Sequence, residues 1–336
     1  MKKNIDVIFS VIDNYGDMGF TAELLIGFEK SSPDIYHFTI WTDNIDAVER
    51  FFALNQEQLP SYSIQSRQDF GKMRKSQCAF ALFHAPIPDQ QYFEQNSLVL
   101  RVDYLSFDPV WNQYHESEHI SSTPSHRVIE LIPSVFPNTG GIIFPELGSD
   151  SRENLASEFG LDISKKWISI FAYSDTLLSV LEFDAIPGGT QILLFGHTTS
   201  GKIREKIDSE NVVFLPFVNL NMFHHLIAES IWSIVRGEVS FVSTVAIGKP
   251  FFWDMYQEIG GFHALQSEQF LESFSANEKY RDIHARLNRQ KEGRVFLSEL
   301  SDCMEERENM PTFPLEHTNN LIVEIKKYID RFDFSL

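Results

Sequence analysis

WSIVRGEVSFVSTVAIGKPFFW, residues 232–253, changes its period twice, and the fold can be read from those changes. Trp232 to Val235 are apolar and partly β-branched, which predicts a buried parallel strand. Arg236-Gly237 breaks that run. Ser240 to Ile247 place small and apolar residues at helical spacing, and Gly248 and Pro250 stop the helix before a second apolar run, Phe251 to Trp253. A strand feeding a helix N-terminus turns backbone N–H groups and the positive end of a dipole toward any ligand. With an arginine beside it and a glycine permitting close approach, such a turn is a seat for phosphate. The same residues also fit an ordinary strand-to-helix turn, with Glu238 in the first helical turn because the dipole favours an acid there.

The alternation extends outward in both directions. Ile5–Ile12, Tyr36–Trp41, Cys78–Phe83, Ser97–Val102 and Arg127–Ile132 read as strands, with helical patterns at Met18–Lys30 and Ile45–Leu54. Pro133–Gly148, rich in Pro and Gly, reads as a long loop toward a domain boundary. A second set of strands follows at Trp167–Ala172, Gln191–Phe195, Val212–Leu215, Trp232–Val235 and Pro250–Trp253. Beyond residue 262 the pattern is almost all helical and ends in Asn319–Phe332. Two successive sets of this kind predict an α/β protein of two doubly wound, Rossmann-like domains facing a cleft. The expected domains are residues 1–150 and 151–317, with a final helix over 318–335 returning to the first.

Composition agrees with an α/β enzyme. A chain of 336 residues, 43% hydrophobic, is long enough for two cores. Its formal charge of −19, from 28 basic and 47 acidic side chains, argues against a nucleic-acid partner, which needs clustered Lys and Arg. Two distant cysteines, Cys78 and Cys303, indicate neither a disulfide framework nor a cysteine-rich zinc site. The apolar run after Met1-Lys2-Lys3 is short and soon meets Asp13, so it reads as a first strand and not a signal peptide. No apolar stretch reaches membrane-spanning length, and the expected location is the cytoplasm.

In open parallel sheets ligands sit beyond the carboxyl ends of the strands. Besides Arg236–Ser240, the turn Asp13-Asn14-Tyr15-Gly16-Asp17-Met18-Gly19 stands at such an end. It has two glycines where the dinucleotide fingerprint has three, and two aspartates where a pyrophosphate would approach. It therefore suits a cation or a hydroxyl. Asp13 and Asp17 can act together, one orienting a donor and the other accepting its proton. Alternatively Asp17 N-caps the helix starting at Met18 and Asp13 forms an Asx turn.

Three further features can be weighed. His115-Glu-Ser-Glu-His119 spells the inverted zinc-peptidase motif, but Pro109 and Pro124 flank it, and a solvated loop fits better than a long helix. His224 and His225 are adjacent on a helical pattern and point apart, so they do not suit one metal. Phe171 and Tyr173 share one side of a strand and either stack on a base or belong to the core.

The blocks VIDNYGDMG (11–19), YLSFDPVW (104–111), PSVFPNTGGIIFPE (133–146), ISIFAYSD (168–175), FLPFV (214–218) and IVRGEVSFVSTVAIGKPFFWDMY (234–256) follow one another along the chain, with His263 after them. Together they resemble the protein-arginine rhamnosyltransferases of elongation factor P, the EarP family. The resemblance implies a GT-B glycosyltransferase, inverting and metal-independent, with no cofactor. Its donor would be dTDP-β-L-rhamnose and its acceptor one arginine of elongation factor P, whose modification relieves polyproline stalling. It implies an N-terminal acceptor domain and a C-terminal nucleotide-sugar domain.

By motif position Asp17 matches the family's general base, Asp13 its neighbouring acid, and Glu238 the essential Glu of Arg-Gly-Glu. Phe171, Tyr173, Arg236 and Ser240 fall where thymidine diphosphate is bound. Tyr15, Gly16, Gly19, Val218, Leu220, Gly237 and Val239 complete the expected nucleotide-sugar contacts. The chain departs from the family at Val239, where Asp is usual, at Asn219-Leu220, where Gln is usual, and at Phe20-Thr21-Ala22-Glu23. These departures leave room for a sibling enzyme with another nucleotide sugar or acceptor, or for a non-catalytic homologue that binds a nucleotide sugar.

Overall fold

The computed structural model describes residues 2–12, 15–83, 85–86, 89–148, 150–171, 175–195, 210–255, 262–274, 276–306, 313 and 315–333. The chain forms two compact units, Met1–Ile143 with Pro314–Leu336, and Phe144–Phe313.

The first unit runs β1 (Lys3–Ile8), α1 (Gly16–Ser31), β2 (Tyr36–Thr42), α2 (Ile45–Ala53), β3 (Tyr62–Ser66), β4 (Ser76–Leu82), β5 (Phe93–Val102), the one-turn α3 (Pro109–Asn112) and β6 (His126–Leu131). The strands form one parallel sheet in the order β3-β2-β1-β4-β5-β6. The order reverses at β1, so the switch point lies between β1 and β4. The central strands are apolar on both faces: Ile5, Val7, Phe38, Phe80 and Leu100 share the face that meets Phe28 of α1, and Ile8, Trp41, Ala79 and Val99 share the other, where Phe70 packs. β3 has no apolar run to announce it. It is YSIQS, a half-buried edge strand. β1 ends four residues short of the predicted Ile12.

The second unit runs α4 (Arg152–Phe159), β7 (Lys166–Phe171), α5 (Asp175–Val180), β8 (Leu181–Glu182), β9 (Thr190–Phe195), β10 (Val212–Leu215), α6 (Leu220–Glu229), β11 (Ser230–Arg236), α7 (Gly237–Ile247), β12 (Phe251–Asp254), α8 (Phe262–Ser273), α9 (Glu278–Leu287), β13 (Val295–Phe296) and α10 (Leu297–Glu305). Its parallel sheet has the order β10-β9-β7-β11-β12, with the switch point between β7 and β11. β8 and β13 pair separately. Phe241 is fully buried and packs on Phe251, Trp253 and Phe270, joining α7 to its sheet and to α8.

α11 (Leu321–Ile329) belongs to the first unit. Ile142 N–H donates to Asn319 O at 3.0 Å, and Leu321 N–H donates back to Ile142 O at 2.9 Å. At Gly27 of α1 an added Cβ would stand 2.7 Å from Ile322 Cγ1, so a glycine there lets α11 approach. No described helix is long and apolar enough to cross a membrane.

Candidate functional site

Every strand of a parallel sheet delivers its C-terminal end to the same edge, and at the switch point the departing loops diverge and leave a crevice. In the second unit the C-terminal ends of β7, at Phe171, and of β11, at Arg236, flank that point.

Arg236 closes β11 and serves as the extended N-cap of α7. Gly237 has φ +71°, a left-handed backbone that glycine adopts without strain. Trp253 Nε1 donates to the Gly237 carbonyl at 3.1 Å. Ser240 Oγ accepts from the Arg236 backbone N–H at 2.9 Å and donates back to the Arg236 carbonyl. The helix therefore begins at Gly237, three residues before the predicted start. Ser240 was expected at the nucleotide, but its hydroxyl fastens the backbone of Arg236. Glu238 and Val239 follow in the first turn, both half-buried.

The carboxylate that holds Arg236 is Asp254, which the sequence does not single out. Asp254 lies in register with Arg236 on β12, fully buried, and Arg236 Nη1 donates to its Oδ2 at 2.6 Å. Burial pushes the Asp254 carboxyl above its ordinary value, while Arg236 and Arg289 oppose the shift. The available signal was a charged residue directly continuing the buried run Phe251–Trp253.

Of the other expected donor contacts, Phe171 and Leu220 are buried. Phe171 is 1% exposed; its ring stacks on Phe195 with centroids 4.4 Å apart and meets Phe223 edge-on. It belongs to the core, and packing leaves it no face for a base. Leu220 is also buried, as the first residue of α6, whose N-cap Asn219 accepts from Met222 N–H at 2.9 Å. Val218 is half-buried just before that cap. Tyr173 lies outside the described residues, as does the side chain of His263.

In the first unit, the turn after β1 stands at the switch point. Tyr15 is the N-cap of α1 but its side chain does not cap the helix, Gly16 opens the helix, and Gly19 N–H closes on Tyr15 O at 2.8 Å. Asp17 therefore is not the N-cap. It sits in the first turn, 2% exposed, and its Oδ2 accepts from the Ile12 backbone N–H at 2.7 Å. Asp13 lies outside the described residues. Near this edge Phe20 meets Phe83 edge-on, and Phe83 stacks on Tyr104 at 4.9 Å. Phe83 has φ +55°, a strained backbone for so bulky a residue.

The segment His115–His119 is a turn and an isolated bridge to β6, not a helix. His115, Glu116 and Glu324 do bring ligand atoms within 4.8 Å of one another. However, His115 Nδ1 accepts from the Ile132 backbone N–H at 3.2 Å, which places the single proton of a neutral imidazole on Nε2. Burial holds His115 below its usual range, so neutral is its ordinary state. A metal at Nε2 would displace that proton, and one at Nδ1 would displace Ile132. His224 and His225 are both buried in α6, and His224 Nε2 faces Ser243 at 3.3 Å.

The fold defines the class first. It is shared over the whole chain with a solved structure described as the structural basis for EarP-mediated arginine glycosylation of translation elongation factor EF-P (TM-score 0.55, 15% identity, 100% of both chains). The UDP-GlcNAc 2-epimerase from Neisseria meningitidis bound to UDP-GlcNAc has a similar fold (TM-score 0.53, 14% identity, 97% of this chain and 98% of that one). The fold is GT-B, built from two doubly wound units. The family follows from sequence. The Elongation-Factor P (EF-P) rhamnosyltransferase EarP family matches residues 5–329, and the chain belongs to that family of glycosyltransferases. It is 25% identical over 303 residues to the protein-arginine rhamnosyltransferase of Neisseria meningitidis serogroup B, covering 76% of this chain and 75% of that one. It is 25% identical over 319 residues to that of Pseudomonas putida, covering 81% of each.

Proposed function

We propose that this chain transfers L-rhamnose from dTDP-β-L-rhamnose, with inversion, to an arginine side chain of translation elongation factor P. The family match across residues 5–329 carries the reading, and the chemistry at the two sheet edges supports it.

A guanidinium has a pKa above about 12 and is a poor nucleophile, so a carboxylate must orient it and remove a proton as it reacts. Asp17 takes that proton, and Asp13 grips the planar fork. The nitrogen bonds to the anomeric carbon as the bond from that carbon to the diphosphate oxygen breaks. The electron pair leaves on dTDP, and the single displacement inverts the β-linked centre. Arg236 and the N-terminus of α7 receive the charge that develops on the leaving group, a task that then needs no metal ion. Gly237 lets the phosphate approach the backbone, and Glu238, which would repel phosphate, takes a sugar or ribose hydroxyl. A net charge of −19 favours encounter with a basic acceptor loop. An acceptor that serves the ribosome places the enzyme in the cytoplasm.

The test is to incubate the chain with its organism's own elongation factor P and dTDP-rhamnose, with and without EDTA. The acceptor should gain the mass of one deoxyhexose on an arginine, and EDTA should not prevent it. Transfer from a UDP- or GDP-sugar alone would remove dTDP-rhamnose as the donor and leave the class intact.

A further inference from the structure

The end of α9 is built in an unusual way. Arg289 N–H donates to Arg286 O at 3.0 Å and Gln290 N–H to Ala285 O at 2.8 Å, the paired bonds of a Schellman motif. The left-handed position of that motif is usually glycine. Here it is Arg289, with φ +59°. Its guanidinium turns inward, where Nη1 forms an ion pair with Asp254 Oδ1 at 3.5 Å. Nε, Nη1 and Nη2 of Arg289 are all buried with no hydrogen-bond partner, and so is Asp254 Oδ1. The preceding residue, Asn288, brackets Asp254: its Nδ2 donates to Trp253 O at 2.8 Å and its Oδ1 accepts from Met255 N–H at 2.7 Å. A guanidinium whose buried nitrogens make no hydrogen bond and a strained backbone are both costly, and here they coincide at the carboxylate that holds Arg236.

We propose that Asp254 and Arg289 are positioning residues for the donor: Asp254 aims Arg236 at the diphosphate, and Arg289 supplies the counter-charge that keeps Asp254 from neutralising it. This inference rests on the donor reading above. Two guanidiniums and one carboxylate leave the cluster at net +1, suited to an anion at the N-terminus of α7. Without Arg289, the pair of Arg236 and Asp254 would be neutral and would leave phosphate to the N-terminus of α7 alone. Without Asp254, Arg236 would keep its charge and lose its direction. As an anion draws on Arg236, Arg289 can close its 3.5 Å gap and keep the buried carboxylate compensated.

The experiment is calorimetric titration with dTDP, with UDP alongside, on four variants. Arg289→Gly is the fold-safe arm because it relieves the left-handed strain. It should melt no lower than wild type yet bind dTDP roughly tenfold more weakly. Wild-type affinity would reduce Arg289 to a helix terminator and overturn the inference. Asp254→Asn raises the cluster's positive charge, so attraction alone predicts tighter binding, whereas positioning predicts weaker binding. Unchanged or tighter binding overturns the proposal. Arg236→Gln should weaken binding, and adding Asp254→Asn to it should cost nothing more. A further, additive loss would show that Asp254 does not act through Arg236. Failure of the wild-type chain to bind either nucleotide is a separate result, which removes the donor reading and this inference with it.

Discussion

The backbone N–H of Ile12 donates to Oδ2 of Asp17 at 2.7 Å, closing the turn that joins β1 to α1. This bond holds a nearly buried carboxylate at the carboxyl edge of the first sheet, without the N-cap position that would have spent it on its own helix. Asp17→Asn keeps the shape and an oxygen for Ile12 but cannot take a proton. Rhamnosyl transfer to elongation factor P should fall by about 10²–10⁴-fold with little change in melting temperature. Intact-mass time courses beside thermal melts check this, and a wild-type rate would remove Asp17 as the base.

Gly237 has φ +71° at the first position of α7, directly after Arg236. Gly237→Ala must either accept strain of about 1–2 kcal/mol or rotate the turn. Stability and dTDP affinity should fall together. A variant that melts and binds like wild type would show that the turn does not depend on glycine.

Gly141 has φ +75°, and an added Cβ there would lie 1.9 Å from the carbonyl oxygen of Asn319. Backbone is the obstacle, so no side chain can move aside. Gly141→Ala should separate Ile142 from the strand-like run before α11 and destabilise the first unit by about 2 kcal/mol or more. Denaturant titration measures the loss, and proteolysis near residues 315–320 should increase with it.

His284 is fully buried on α9, its Nδ1 3.3 Å from Ser267 Oγ, and burial pushes its imidazole down to about 3. In the unfolded chain it titrates near 6.5. Between those values the unfolded state binds a proton that the folded state refuses, so stability rises with pH. The contribution is fully present above pH 6.5 and is lost as pH falls toward 3, at about 1.4 kcal/mol per unit, or about 2 kcal/mol by pH 5. Melting the wild type and His284→Gln from pH 7 to pH 5 should show the shallower slope in the variant; equal slopes would rule His284 out as the source.

The local pattern of the sequence determined most of the fold. Apolar runs of strand length alternating with helical periods were enough for two doubly wound α/β units, because a central parallel strand must be apolar on both faces whatever its neighbours are. β3 escaped because an edge strand carries no such obligation, and YSIQS has no run to read. The turns bearing Asp17 and Arg236 were also legible, since a strand end, a glycine and a helix start leave a local signature. The tertiary structure alone decided what those residues touch. Asp254 meets Arg236 by lateral register between β11 and β12, and Arg289 arrives from a helix more than thirty residues further along the chain. Phe171 and Tyr173 had the spacing of a base-stacking pair, yet Phe171 went to the core because Phe195 and Phe223 cover its ring. Spacing along one strand sets which way a side chain points; only the neighbouring strands and helices set whether a ligand or the protein itself is there to meet it.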